Sequence, residues 1–270
     1  MTSVVAITGA QGNLGRKLQA HLRGRYTLKL VDINAGGDPD INVIDLSKWD
    51  NRLLELFGGV DAVVHLAADP YAGKSWMELL APNLDALNNV FVAAIRAKVP
   101  RVIYASSNHA MGGYKEVERS GRWLAADLEP KPGTRFDDWP LGTPDRDSTP
   151  YGAMKLCGER LGLCYAQSAP GVCIAVRIGW VNRLGENRPE DLPAEAHIWY
   201  KRMWLSTRDM CQLMEKAITV PKPPGSFFVV NGMSDNEGMV WDLDYTRQVL
   251  GYLPEDGMTL DLKDKSLVKI

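Results

Sequence analysis

The sequence predicts an α/β protein built on one parallel, doubly wound sheet, and three observations lead to it. Short apolar runs alternate with amphipathic stretches as far as residue 178, the first run ends in a glycine-rich turn that opens a helix, and an aspartate closes the second run. Such alternation marks βαβ units, whose crossover helices cover both faces of a parallel sheet.

The elements follow in order. A strand is expected at 3–8, a helix at 13–23 and a strand at 27–32, which completes one βαβ unit. After a strand-like run before Asp45, the pattern gives a helix at 48–57, a strand at 62–66, a long helix at 76–98 and a strand at 102–106. A helix at 151–168 and a strand at 172–178 extend the sheet. Residues 115–147, rich in Pro, Gly, Asp and Arg and carrying Trp123 and Trp139, break the alternation and are expected to form a long substrate-side loop. Beyond Gly179 only a strand at 227–230 and a helix at 243–250 stand out, so 179–270 is expected to add a small substrate-side subdomain to a single domain spanning 1–270.

Composition narrows the functional classes. A net charge of -2, with 31 basic and 33 acidic residues, offers no basic surface for nucleic acid. Apolar runs such as 60–68 are about half the length of a membrane-spanning helix, and the first residues lack the zones of a signal peptide, so a cytoplasmic protein is expected. Four cysteines without C-x-x-C spacing argue against a metal site and read as core residues.

The glycine turn reads Thr8-Gly9-Ala10-Gln11-Gly12-Asn13-Leu14-Gly15. Its first glycine allows a tight turn, its second a close approach of backbone to a diphosphate, and its third close packing of helix on strand. With free N–H groups at the helix start and Asp32 ending the second strand, the unit has the parts of a dinucleotide site on a Rossmann-type fold. Asp32 would bind the adenosine ribose and repel a 2′-phosphate, favouring NAD, while Arg16 keeps NADP open as a poorer alternative. Asp45-Leu46 suits the adenine edge, or Asp45 caps a helix.

Tyr151 and Lys155, at i and i+4, share one helix face, where an ammonium can favour the phenolate of a neighbouring tyrosine. Ser106-Ser107-Asn108-His109 ends a strand at the edge where open α/β sheets bind ligands. Glycine turn, aspartate, serine and Tyr/Lys in one chain are far more specific together than apart.

On these residues, with His65-Leu66-Ala67-Ala68, Asn83 and Arg177, the sequence resembles the extended short-chain dehydrogenases/reductases, the NAD-dependent epimerase/dehydratase family. The runs 106–114, 177–179 and 203–206 resemble the branch with uronate dehydrogenase and archaeal NAD-dependent glucose-6-phosphate dehydrogenase, which oxidise a sugar at its anomeric carbon. The resemblance implies Tyr151 as general base, Lys155 as its partner and ribose ligand, and Ser107 as the hydroxyl holding the reacting oxygen. It implies cofactor contacts at Leu66, Ala67, Ala68, Asn83 and Ser106, and sugar contacts at Asn108 and His109, His109 being otherwise structural. Arg177 is either a clamp for a sugar anion or part of a structural salt bridge; Arg119, Arg122, Lys131, Arg135 and Arg146 could also reach an anionic tail. The implied activity is NAD-dependent oxidation of a hexuronate, a hexose 6-phosphate or a 6-sulfonated hexose such as sulfoquinovose to its lactone. An epimerase or dehydratase with retained NAD and a non-catalytic NAD sensor are the competing readings, and a homo-oligomer is left open.

Overall fold

A computed structural model of the protein describes residues 2–115, 117, 119–133, 147–168, 171–193 and 196–259. Seven parallel strands form one sheet: β1 (Val4–Thr8), β2 (Thr27–Asp32), β3 (Ile41–Val43), β4 (Ala62–His65), β5 (Arg101–Ser107), β6 (Val172–Ile178) and β7 (Phe227–Gly232). Their order is β3-β2-β1-β4-β5-β6-β7, so the chain winds one way from β1 and the other way from β4. The carboxyl ends of β1 and β4 flank the reversal, the place where open α/β sheets receive ligands.

Strands buried on both faces read as near-continuous apolar runs, and β4 and β6 are buried at every position. On one face α1 (Asn13–Leu22) and α7 (Thr207–Thr219) pack Leu18, Leu22, Met210 and Leu213 into a core with Val5, Ile7 and Ile174. On the other, α2 (Asn51–Phe57), α4 (Ala86–Arg96) and α5 (Thr149–Ser168) bring Leu53, Phe57, Leu87, Val90 and Tyr165 against Ala6, Val63 and Val102.

Several expectations change. The helix expected at 76–98 is α3 (Trp76–Leu79), a π-helical turn (Leu80–Asp85) and α4. Pro82 lies within that turn and has no N–H to donate, so the ladder widens there instead of continuing as α-helix. Beyond Gly179 the chain also forms α6 (Ile198–Arg202) and α7, which the sequence reading did not separate, before β7 and α8 (Asp244–Leu250). Ser206 caps α7 by accepting from Asp209 N–H, and the buried set Met210, Leu213, Met214 and Ala217 keeps helical spacing. α7 thus packs into the core beside α1 and β7 forms an edge strand of the sheet, and the segments flanking them leave from the carboxyl ends of β6 and β7.

The 115–147 segment packs onto the site end over its described part. Trp123 and Leu124 N–H groups donate to Val240 O, Leu124 is fully buried, and Gly133 N–H donates to His109 O. Trp139, Arg135 and Arg146 lie outside the described residues. Among the described residues no helix is long and apolar enough to cross a membrane.

Candidate active site

The glycine turn closes tightly on the next crossover. Gly9 has φ 71°, and a Cβ there would lie 2.6 Å from Ala67 N. A Cβ on Gly15 would overlap Gly9 O and sit 2.7 Å from Ala10 Cα, whereas one on Gly12 would meet only Gly9 O, at 3.1 Å. Gly9 and Gly15 therefore let backbone meet backbone, while Gly12 leaves an open face at the start of α1. No side chain caps α1, so its first-turn N–H groups remain available to an anion. This cradle fits a dinucleotide diphosphate.

Asp32 stands at the end of β2, where its Oδ2 accepts from Gln11 N–H at 2.8 Å and its Oδ1 from Asn34 N–H at 3.1 Å. Gln11 binds Ala35 O and accepts from Arg16 Nε, which holds Arg16 beside the turn. Asp45 caps no helix, since Asp50 is the N-cap of α2; it holds a local turn, accepting from Ser47 N–H and Oγ and pairing with Lys48 at 3.2 Å, and the Ser47 hydrogen bond holds its carboxyl below the usual range. Leu46 is buried, its carbonyl accepting from Asn89. Leu66 and Ala67 lie against Gly9, with Ala68 next in the chain. Asn83 bridges Asp69 N–H (2.7 Å) and Asp69 O (3.2 Å), so it pins the loop after β4.

Around Tyr151 the elements approach closely because glycines face them. A Cβ on Gly152 would lie 2.5 Å from His109 O, and one on Gly158 would overlap the Tyr104 ring. α5 can therefore press its first turn against β5 and the 3-10 turn Asn108–Tyr114. The Ser107 hydroxyl lies close enough to the Tyr151 phenol to favour its ionised form, and it accepts from His109 N–H at 3.2 Å. The His109 ring meets the Tyr151 ring edge-on at 5.5 Å and shares a hydrogen bond with Ser148 Oγ at 2.9 Å. Asn108 donates to Ile178 O at 3.0 Å, and its Oδ1 is buried with no hydrogen-bond partner among the described residues.

Lys155 Nζ donates to Ala105 O at 2.9 Å and lies 5.5 Å from the centroid of the Tyr151 ring. Burial lowers the Lys155 ammonium to about 8 and raises the Tyr151 phenol to about 12. Against burial, the Ser107 hydrogen bond and the Arg183 charge favour the phenolate, while Asp69 opposes it. The expected depression by a neighbouring cation is thus outweighed by desolvation in the protein alone.

Two expectations are corrected here. Arg177 does not face an open site: it is 2% exposed, its Nε and Nη2 donate to Glu159 at 2.9 Å, and its Nη1 donates to Ala126 O and Met111 Sδ at 3.1 Å. Every arm of the fork is taken, so it forms the structural salt bridge. Ser106 Oγ donates to the same Glu159 at 2.7 Å, because successive strand residues face opposite ways and only Ser107 turns toward Tyr151. Of the described cations of the long loop, Arg122 pairs with Asp235, while Arg119 lies 5.3 Å from the Trp123 ring and Lys131 5.5 Å from the Tyr114 ring. The sequence reading missed Asp69, Tyr71, Lys74 and Arg183, which sit in aperiodic loops and meet only in the folded chain.

A glycine cradle at the sheet's reversal and a Ser–Tyr–Lys cluster one strand away define a dinucleotide-dependent α/β enzyme site. The chain belongs to the NAD dependent epimerase/dehydratase family, whose model matches residues 5–200. It is similar to an NAD-dependent glucose-6-phosphate dehydrogenase of Haloferax volcanii, 32% identical over 95% of this chain and 94% of that one. An L-arabinose 1-dehydrogenase (NAD(P)(+)) of the same organism is also 32% identical, over 93% and 96%. Among solved structures, the glucuronic acid dehydrogenase of Chromohalobacter salexigens superposes with a TM-score of 0.74 at 26% identity, over 95% of this chain and 86% of that one.

Proposed function

We propose that the protein is an NAD-dependent sugar 1-dehydrogenase that oxidises the anomeric carbon of a ring-form aldose to its lactone, which water then opens. The observation that carries the reading is the Ser107–Tyr151–Lys155 cluster at the carboxyl end of β5, beside the cradle at Gly12. The open face at Gly12 and the first turn of α1 would hold NAD, which would supply the hydride acceptor for C1. Ser107 and Tyr151 hold the C1 hydroxyl, Tyr151 takes its proton, and the Lys155 charge favours the phenolate that can do so. Asn108 Oδ1 and His109 contact the sugar; at about 4, lowered by burial, His109 is a neutral hydrogen-bonding partner. Asp32 selects NAD over NADP because its carboxylate repels a 2′-phosphate. The relatives' names cover a hexose phosphate, a pentose and a uronic acid, which supports a sugar as the substrate.

The test is NADH formation with glucose 6-phosphate, glucuronate, galacturonate, sulfoquinovose, glucose and arabinose. Net NADH with lactone or aldonate as product is expected. Tyr151→Phe should lower kcat by about 100- to 10,000-fold while binding NAD nearly as well, because only the proton acceptor is lost. Sugar epimerised without net NADH would overturn the reading in favour of an epimerase, and NAD binding without turnover of any sugar would favour a sensor.

A further inference from the structure

The loop leaving β6 is fixed where it passes the cofactor cradle. Asn13 Nδ2 donates to Val181 O at 3.1 Å and Asn182 O at 3.3 Å, binding the loop to the first turn of α1. Asn182 N–H donates to Asn187 Oδ1 at 2.8 Å and Asn182 Nδ2 to Asp191 O at 2.9 Å, while Asp191 Oδ2 accepts from the Glu186 and Arg188 N–H groups. This internal bonding holds Arg183, exposed at the crest, in one place.

From that crest Arg183 reaches to the loop after β4, its guanidinium carbon 5.3 Å from the centroid of the exposed Tyr71 ring. Lys74 approaches the same ring at 5.4 Å, but its ammonium is paired with Asp69 at 2.6 Å. Among the described residues Arg183 has no carboxylate at ion-pair distance. The mouth formed by the two loops thus holds a positioned, uncompensated cation.

We propose that Arg183, seated on Tyr71, is the residue that recognises an anionic group carried by the sugar, a carboxylate, phosphate or sulfonate away from C1. The proposal rests on the sugar-dehydrogenase reading and deepens it. Arg183 suits the role through its planar fork, which binds such oxyanions in pairs and stacks on aromatic faces. Its charge is felt at the Tyr151 phenol, which places it over the reacting end of the site. The other arginine first considered for this role, Arg177, is saturated by Glu159.

Two anions could meet this guanidinium, the sugar's own and the diphosphate of the dinucleotide. The experiment separates them. Native enzyme, R183Q and R183K are compared for kcat/KM on glucose 6-phosphate, glucuronate and glucose, and for NAD affinity by titration. In the native enzyme the better anionic sugar should exceed glucose by about 10- to 100-fold, the range of one or two charge-assisted hydrogen bonds. R183Q should collapse that ratio, chiefly through KM, and R183K should restore part of it, with NAD affinity unchanged in both. Because the same charge acts on Tyr151, glucose turnover should also fall somewhat, so the ratio is the readout. A ratio that survives R183Q overturns the proposal, and a weakened NAD affinity with the ratio intact assigns Arg183 to the diphosphate. Equal native rates on charged and neutral sugars overturn the proposal too, yet leave the dehydrogenase reading standing on the NADH they produce.

Discussion

Arg177 shows how one residue type at one position can carry two opposite roles until its partners are known. Its fork is closed by Glu159, so removing it strands a buried carboxylate rather than opening a sugar pocket. Breaking such a pair costs about 3–5 kcal/mol. Arg177→Ala should therefore lower the melting temperature sharply, while the surviving folded enzyme keeps its sugar preference; thermal melts and kcat/KM ratios check both halves. Neither Glu159 nor the paired strand position Ser106 could be tied to Arg177 by spacing, because the three come from α5, β5 and β6. Tyr151 and Lys155 were legible for the opposite reason, since four residues of helix place them on one face whatever surrounds them.

At the scale of elements, the strand–turn–helix unit from β1 into α1 was readable because each glycine answers a local steric demand. Gly15 and Gly12 nevertheless answer different ones. A methyl on Gly15 collides with backbone at Gly9 and Ala10, which cannot move aside, whereas one on Gly12 enters the open face of the cradle. Gly15→Ala should destabilise the fold by about 1–3 kcal/mol. Gly12→Ala should leave the melting temperature nearly unchanged and weaken NAD binding instead. Melts and NAD titrations of the two variants give the comparison, and a stable Gly15→Ala that binds NAD normally would contradict it. The π-helical turn and α7 were less legible: Pro82 signals an interruption without saying how the ladder repairs itself, and Ser206-x-x-Asp209 is a cap signal in a region where only a later strand and helix stood out.

Taken whole, the molecule surrounds its site with imidazoles kept neutral. His65 is buried at the end of β4, shares a hydrogen bond with Thr8 Oγ1 at 2.7 Å and stacks on Tyr104, and burial lowers it to about 3; His109 is lowered to about 4. Both sit near 6.5 when the chain is unfolded, so below that pH the unfolded state binds protons that the folded state refuses. Their contribution to stability is complete above 6.5 and is lost as the pH falls toward 4, by up to about 1.4 kcal/mol per pH unit for each ring. The melting temperature should therefore drop on acidification from pH 6.5 to 5, and His65→Asn should flatten that drop; a melting temperature constant across the range would refute the account. The sheet order was legible in outline from the alternation of elements, but the packing of α7 on α1 depends on contacts made across most of the chain's length. The Glu159–Arg177 junction, which also gathers Ser106, Ala126 and Met111, has a meaning for descent as well as for stability. Because neither charge tolerates the loss of the other, lineages can alter positions 159 and 177 only together, and the two should change in step while the loops around Arg183 drift with the diet of sugars.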